Sequence, residues 1–271
     1  MSSRLRAIAQ ENTEIVAAGR YRTRSGREVS LAAAVAEAKA GTRIYGPESV
    51  IPGEGVLTAP FETSVEVTGE SSTVAARRLA ASGRVAVLNF ASARNPGGGY
   101  LRGAKAQEEA LCRASALYET LLEAPEYYAT HRAERSTFYT DRVIHSPGVP
   151  VFRDDRGELL ETPFRASFLT SPAPNAGTIR RQEPGRTHEI PTALARRAER
   201  VLETAALHGY PQLVLGAWGC GVFQNDPGEV AGAFAGLLRE GGRFAGVFER
   251  VVFGILDRDP GVQRLFERAF E

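Results

Sequence analysis

Short apolar runs separated by stretches of helical spacing organise the chain from Arg84 onward. Residues 84–91 carry the run Val85-Ala-Val-Leu-Asn-Phe-Ala91, and shorter runs recur at 142–145, 165–170, 211–217 and 250–256. Each is short and bounded by turn residues, which predicts strands. Apolar positions three and four apart predict helices over 106–123, 188–208, 227–240 and 260–270. Asp226 and Pro227 suit the N-cap and first position of the third helix. Strands alternating with helices this long predict an α/β sheet covered on both faces.

Upstream, residues 3–19 and 29–40 read as helices, the second closed by Gly41, with the charged turn from Tyr21 to Arg27 between them. A loop rich in Pro and Gly runs from Tyr45 to Pro60. The alternating strand Ser64-Val-Glu-Val-Thr68 and a helix over 71–82 follow it. Residues 147–161, which include Pro147-Gly148 and Asp154-Asp155-Arg156-Gly157, predict a long excursion over the surface. There is no internal repeat.

Bulk properties narrow the partners. The chain of 271 residues is long enough for one large core or a core with an accessory segment. Its formal net charge of +1 disfavours bulk binding of duplex nucleic acid, so neither DNA nor RNA is expected as a partner. Two cysteines, Cys112 and Cys220, make no disulfide framework and point to a reducing compartment. No apolar run approaches a membrane span and the first residues carry no signal core, so a soluble, cytoplasmic protein is expected.

The most informative stretch is Gly97-Gly98-Gly99, seven residues, then Gln107-Glu108-Glu109, set between a predicted strand and a predicted helix. Consecutive glycines let a ligand lie directly on main-chain amides. The bland alternative is a flexible turn. Glu108 and Glu109 fall in the first helical turn, where carboxylates are common for dipole reasons alone. The glycines bring a ligand to that same helix end, which favours acid/base chemistry. Two effects oppose each other there: the helix start lowers a carboxyl pKa, and desolvation raises it.

A second glycine loop follows the run 211–217: Trp218-Gly219-Cys220-Gly221-Val222-Phe223, ending at Asp226. Amides of such a loop before a helix suit a diphosphate. The rival reading is a plain turn with Trp218 in the core. Phe223 suits a stacking lid better than a turn. Cys220 lacks a patterned His partner and reads as a small thiol rather than a nucleophile. His131, His145, His188 and His208 show no ligand spacing, and neither a P-loop nor a dinucleotide fingerprint is present. No metal and no cofactor is expected. Paired carboxylates beside two glycine loops fit sugar chemistry on a diphosphate-bearing ligand.

These two motifs, about 110 residues apart and in this order, resemble those of the bacterial-type poly(ADP-ribose) glycohydrolases, which are built on the macrodomain fold. The resemblance implies a macrodomain-like three-layer α/β/α fold with a mixed central sheet. It divides the chain into an accessory helical segment, 1–65, and a catalytic domain, 66–271. It implies that Glu109 is the acid/base and that Glu108 positions a ribose. Gly98 and Gly99 would hold the distal ribose and phosphate, with Gly97, Asn95 and Gln107 counted in the same site. Gly219, Cys220, Gly221 and Val222 would bind the diphosphate, and Phe223 would pack over the terminal ribose. The run Asn89-Phe90-Ala91-Ser92 is similar to an Asp-Phe-Ala-Asn run in the larger animal enzymes, so Asn89 and Ser92 join the expected substrate contacts. Phe253, at the end of the last strand, is where adenine stacking is sought.

The expected reaction is hydrolysis of ribose–ribose O-glycosidic bonds in poly(ADP-ribose), mainly from chain ends, on polymer or poly-ADP-ribosylated proteins, releasing ADP-ribose. Two alternatives remain at this stage: a non-catalytic reader of ADP-ribose on the same loops, and a hydrolase of mono-ADP-ribosylated side chains. The adjacent glutamates argue against a reader, because an anionic ligand gains nothing from neighbouring carboxylates.

Overall fold

Along the central strands, successive residues go to opposite sides. Val85 and Val87 enter one apolar cluster while Ala86 and Leu88 enter another; Val214 and Val252 join the first, Leu213, Leu215 and Val251 the second. A sheet buried on both faces needs apolar residues on both, which is why these strands read as continuous runs.

The computed structural model describes residues 2–48, 57–257 and 259–271. The chain opens with α1 (Ser3–Ala18), β1 (Arg20–Arg22), β2 (Glu28–Ser30), α2 (Ala32–Gly41) and β3 (Arg43–Tyr45). Next come β4 (Ser64–Thr68), α3 (Ser72–Ala80), β5 (Val85–Phe90), α4 (Gln107–Ala114), α5 (Leu117–Leu121) and α6 (Pro125–Glu134). The remainder is β6 (Val143–Arg153), β7 (Leu159–Ser171), α7 (Ala176–Gln182), α8 (Ile190–Leu207), β8 (Gln212–Leu215), α9 (Pro227–Leu238), β9 (Arg250–Gly254) and α10 (Pro260–Phe270). Much of the Pro- and Gly-rich loop read between Tyr45 and Pro60 lies outside the described residues.

A seven-stranded mixed sheet has the order β3-β6-β7-β5-β8-β9-β4. Strands β7, β5, β8, β9 and β4 run parallel; β6 is antiparallel to β7, and β3 to β6. Residues from α1 to α6 fill the cluster on one face, and residues from α7 to α10 fill the other. The expected three-layer α/β/α architecture with a mixed sheet is present. α1 and α2 bury Ala9, Ile15, Val35 and Ala38 in the first cluster, and β3 is an edge strand of the sheet.

Two local expectations need correction. Residues 147–161 are not a surface excursion: they complete a long β6–β7 hairpin, with Val149, Val151 and Phe152 in the core. Prolines normally argue against a strand interior because they donate nothing to the ladder. Here the register shifts between Ser146 and Val149, where Gly148 adopts φ +54, and the irregularity accommodates Pro147. The helix read over 106–123 is two helices. Ser115 is extended and bridges to Val151, while its hydroxyl caps Leu117 N, so α4 stops and α5 restarts.

Candidate active site

The parallel strands β7, β5, β8 and β9 end on one edge of the sheet, and their following loops gather there. That edge is where open α/β sheets bind ligands. Because β5 pairs directly with β8, the triple-glycine loop and the second glycine loop emerge side by side.

Gln107 anchors the first loop to the sheet. Its Oε1 accepts from the Phe90 amide at 2.9 Å, and its Nε2 donates to the Leu88 carbonyl at 2.8 Å and to Ser72 Oγ at 3.1 Å. Both ends of the side chain are therefore committed to protein, and Gln107 acts by positioning the start of α4. Glu108 and Glu109 follow, and both are buried, with relative exposures of 2% and 7%.

Glu108 is fully held. Asn89 Nδ2 donates to its Oε1 at 3.2 Å, and the Ser92 amide donates to Oε2 at 2.7 Å. Asn89 is itself fixed by a 3.1 Å bond to Thr170 on the neighbouring strand. Burial outweighs these donors and pushes the Glu108 carboxyl up to about 8, with the adjacent Glu109 adding to the rise. Desolvation thus prevails over the helix start at this residue.

Glu109 is held on one side only. The Gly99 amide donates to its Oε1 at 2.8 Å, whereas Oε2 is buried with no hydrogen-bond partner among the described residues. The glycines explain how the backbone comes this close. Gly98 has φ +58, and a Cβ there would lie 2.6 Å from Glu109 Oε1. Gly97 has φ +63, and its Cβ would meet the Tyr118 ring at 2.9 Å. Asn95 lies on the exposed side of this loop, where its carbonyl accepts from the Gly98 amide at 3.0 Å.

The second loop is closed on itself. Asn225 Nδ2 donates to the carbonyls of Pro174 and Gly219, and its amide donates to Gly219 as well. Trp218 is buried and donates from Nε1 to the Ser171 carbonyl at 3.1 Å, which fixes the loop to the end of β7. Gly221 and Val222 stand at the exposed tip, Val222 at 80% exposure. Phe223 is half-buried, with the Tyr139 ring 5.8 Å away. Burial raises the Cys220 thiol to about 12, so it remains a neutral thiol rather than a thiolate nucleophile.

Phe253 is not at the site. It is fully buried, packed against Phe234, Phe266 and Phe270, and presents no face to a ligand. The strand period explains this: alternate residues of β9 point to opposite faces, and Phe253 falls on the side covered by α9 and α10. Sequence reading missed Tyr127 and Tyr128, whose buried hydroxyls have no partner among the described residues and which interact electrostatically with Glu108. Helical spacing presents them as ordinary core. Among the described residues no group of three or more His, Cys, Asp or Glu gathers as a metal site, and no helix is long and apolar enough to cross a membrane.

Comparison with known proteins gives a consistent result. Residues 9–154 match the family described as microbial-type PARG, catalytic domain. The poly(ADP-ribose) glycohydrolase of Thermomonospora curvata, solved with the inhibitor ADP-HPD, is 52% identical, with 99% of this chain and 100% of that one covered and a TM-score of 0.90. The poly(ADP-ribose) glycohydrolase of Deinococcus radiodurans, solved with ADP-ribose, is 45% identical over 88% of this chain and 97% of that one, with a TM-score of 0.80. No curated protein sequence matches.

Proposed function

Since this chain belongs to the microbial-type poly(ADP-ribose) glycohydrolase family, we propose that Glu109 is its acid/base and that it works mainly from polymer ends. The chain is an O-glycoside hydrolase with a macrodomain-like fold, and it acts on the ribose–ribose bonds of poly(ADP-ribose) to release ADP-ribose. The observation that carries the residue assignment is the one-sided hold on Glu109: a fixed Oε1 and a buried, uncommitted Oε2.

In the proposed mechanism, Glu109 protonates the departing ribose oxygen as an oxocarbenium ion develops at the distal ribose. The resulting carboxylate activates water, which adds to that carbon. The diphosphate, on the amides from Gly219 to Val222, is available to stabilise the developing charge. Glu108, held by Asn89 and Ser92, serves as a ribose-positioning group. Vicinal glutamates on one loop–helix junction cannot flank a bond from opposite faces, so a single principal acid/base fits better than a nucleophile pair. Phe223 packs over the terminal ribose, and Asn95, Gly97, Gly98 and Gly99 complete the cradle.

We assign residues 66–271 as the catalytic domain and residues 1–65 as its accessory segment. Contacts of α1 support a bracing role: the Ser2 amide donates to the Gly103 carbonyl, and Tyr100 Oη to the Ala9 carbonyl. Polymer-modified proteins are the proposed substrates, and two free cysteines fit a reducing cytoplasm. Time-resolved product analysis tests this reading: ADP-ribose from the outset, with a protein-linked monomer left behind, supports it. Early accumulation of long free oligomers contradicts the chain-end assignment, and efficient removal of the last protein-linked unit contradicts the substrate.

A further inference from the structure

Beside the glycine cradle lies a second cleft of about 450 Å³, lined by Arg94, Arg132, Arg135, Tyr139, Thr178 and Gln182 among others. It adjoins the catalytic machinery at two points. Arg94 lies two residues beyond Ser92, whose amide holds Glu108. Tyr139 packs its ring against Phe223, and the Phe223 carbonyl accepts from Gly177 at the start of α7, near Thr178.

Among the described residues, no ion pair neutralises the arginines of this cleft. Arg132 Nη1 donates to the Arg94 carbonyl at 2.6 Å, and Arg94 Nη2 to the Arg135 carbonyl at 3.1 Å. The arginines are thus tied together through neutral carbonyls, and none of the three forms an ion pair with a described carboxylate. Of the nearby acids, Glu183 pairs with Arg186 and also accepts from Thr137 Oγ1 in the cleft wall at 3.2 Å, and Glu134 pairs with Arg142. Arg94 Nε is buried and has no partner among the described residues.

The backbone holds this arrangement under strain. Arg135 and Tyr139 are non-glycine residues at φ +55 and +60. The Tyr139 carbonyl is gripped by the fully buried Arg197, itself paired with Asp141. Guanidinium groups recognise phosphate oxygens through paired hydrogen bonds, and aromatic rings stack on bases; the half-buried Tyr139 ring has the Arg94 guanidinium carbon 6.0 Å from its centroid. Three arginines without an ion pair among the described residues, together with one aromatic ring, therefore suit a nucleoside diphosphate.

We propose that this cleft binds the adenosine diphosphate moiety of the departing unit, the part of the polymer on the far side of the bond being cut. The inference rests on the polymer-cleaving reading above. In the polymer, the anomeric carbon of one distal ribose is joined to the 2′-oxygen of the neighbouring adenosine. When that C–O bond breaks, the 2′-oxygen takes the proton from Glu109 and water supplies the hydroxyl to the anomeric carbon. The leaving group is thus itself a nucleoside diphosphate. Held beside Phe223, it keeps its 2′-oxygen aligned with the acid until the bond parts.

The test compares wild type with the double variant Arg132→Gln, Arg135→Gln on two substrates. One is purified poly(ADP-ribose); the other is ADP-ribose carrying a small aryloxy group at the anomeric carbon, which has the same glycone but no adenosine on the leaving side. The expected result is a fall of about tenfold or more in kcat/KM for polymer, with a weaker salt dependence. Turnover of the aryl substrate and the Kd for ADP-ribose should be unchanged. Equal losses on both substrates, or no loss on polymer, overturn the inference while leaving the polymer-cleaving reading intact. A wild-type protein that fails to cut polymer overturns both.

Discussion

The amide of Gly99 donates to Oε1 of Glu109 at 2.8 Å, across ten residues of chain and from the last glycine of the loop to the first turn of α4. This bond fixes one carboxyl oxygen and leaves the other, buried, for chemistry. The motif spacing is therefore physical: the loop must leave β5, turn under a ligand and return its final amide to the carboxyl it has to orient.

Gly98→Ala should reduce polymer turnover by about 10²-fold while the protein stays folded. The new methyl would sit 2.6 Å from Glu109 Oε1, at a backbone φ of +58 that costs an L-residue roughly 1–2 kcal/mol. Either the carboxyl or the loop must move, and misplaced acid/base groups lose rate on this scale. Steady-state kinetics with circular dichroism as the folding control checks it; near-native kcat would contradict the close approach.

Glu108 should make stability fall as pH rises. Its folded pKa is raised from 4.5 to about 8, so its stabilising contribution is complete below about 4.5 and lost as pH passes through about 8. Buried His131 and His145, lowered to about 4 and about 3, act with the opposite sign, losing their contribution as pH falls below 6.5. The histidines still contribute near pH 6.5, so the difference in slope between wild type and Glu108→Gln over pH 6.5 to 8 is what isolates Glu108, at most about 1.4 kcal/mol per unit. Denaturant unfolding across that window should show the slope in wild type and its loss in Glu108→Gln. Equal slopes would contradict a protonated Glu108.

Phe223→Ala should weaken ADP-ribose binding by about 1–2 kcal/mol and slow turnover, the scale of a lost aromatic contact. The ring is half-buried against Tyr139 rather than sealed in the core. Calorimetry checks the affinity, and unchanged binding together with unchanged turnover would contradict the assignment.

Hydrolysis should survive exhaustive treatment with EDTA. His131 spends its ring nitrogens on the Tyr127 carbonyl and Thr140, and His145 bonds Tyr210, so neither is arranged as a ligand. Activity lost on chelation and restored by one divalent ion would contradict this.

Much of the fold was legible because strands buried on both faces must read as apolar runs, as at 85–90 and 251–253. Gly97–Gly99 with Gln107–Glu109 was equally legible, since few sequences need consecutive glycines before paired carboxylates. The β6–β7 hairpin was hidden because Pro147 and Pro150 signal a loop; the bulge at Gly148 accommodates Pro147, while Pro150 keeps its register opposite Arg165. Phe253 misled because strand position alone does not say which sheet face a residue occupies. Gln107 carried the right region but not the role, since both ends of its side chain anchor the start of α4; Asn89 donates to Glu108 from Nδ2, and its Oδ1 has no partner among the described residues. The arginine cleft was invisible, since its walls come from residues 94, 132–139 and 175–182.

The central claim, that Glu109 is the acid/base, is tested most directly by Glu109→Gln assayed with purified polymer. The substitution preserves size and leaves an oxygen to accept from Gly99, but removes the proton donor. Turnover should fall by at least ~10²-fold, in line with typical general-acid contributions, with little change in ADP-ribose affinity. Near-native release of ADP-ribose by Glu109→Gln would contradict the account.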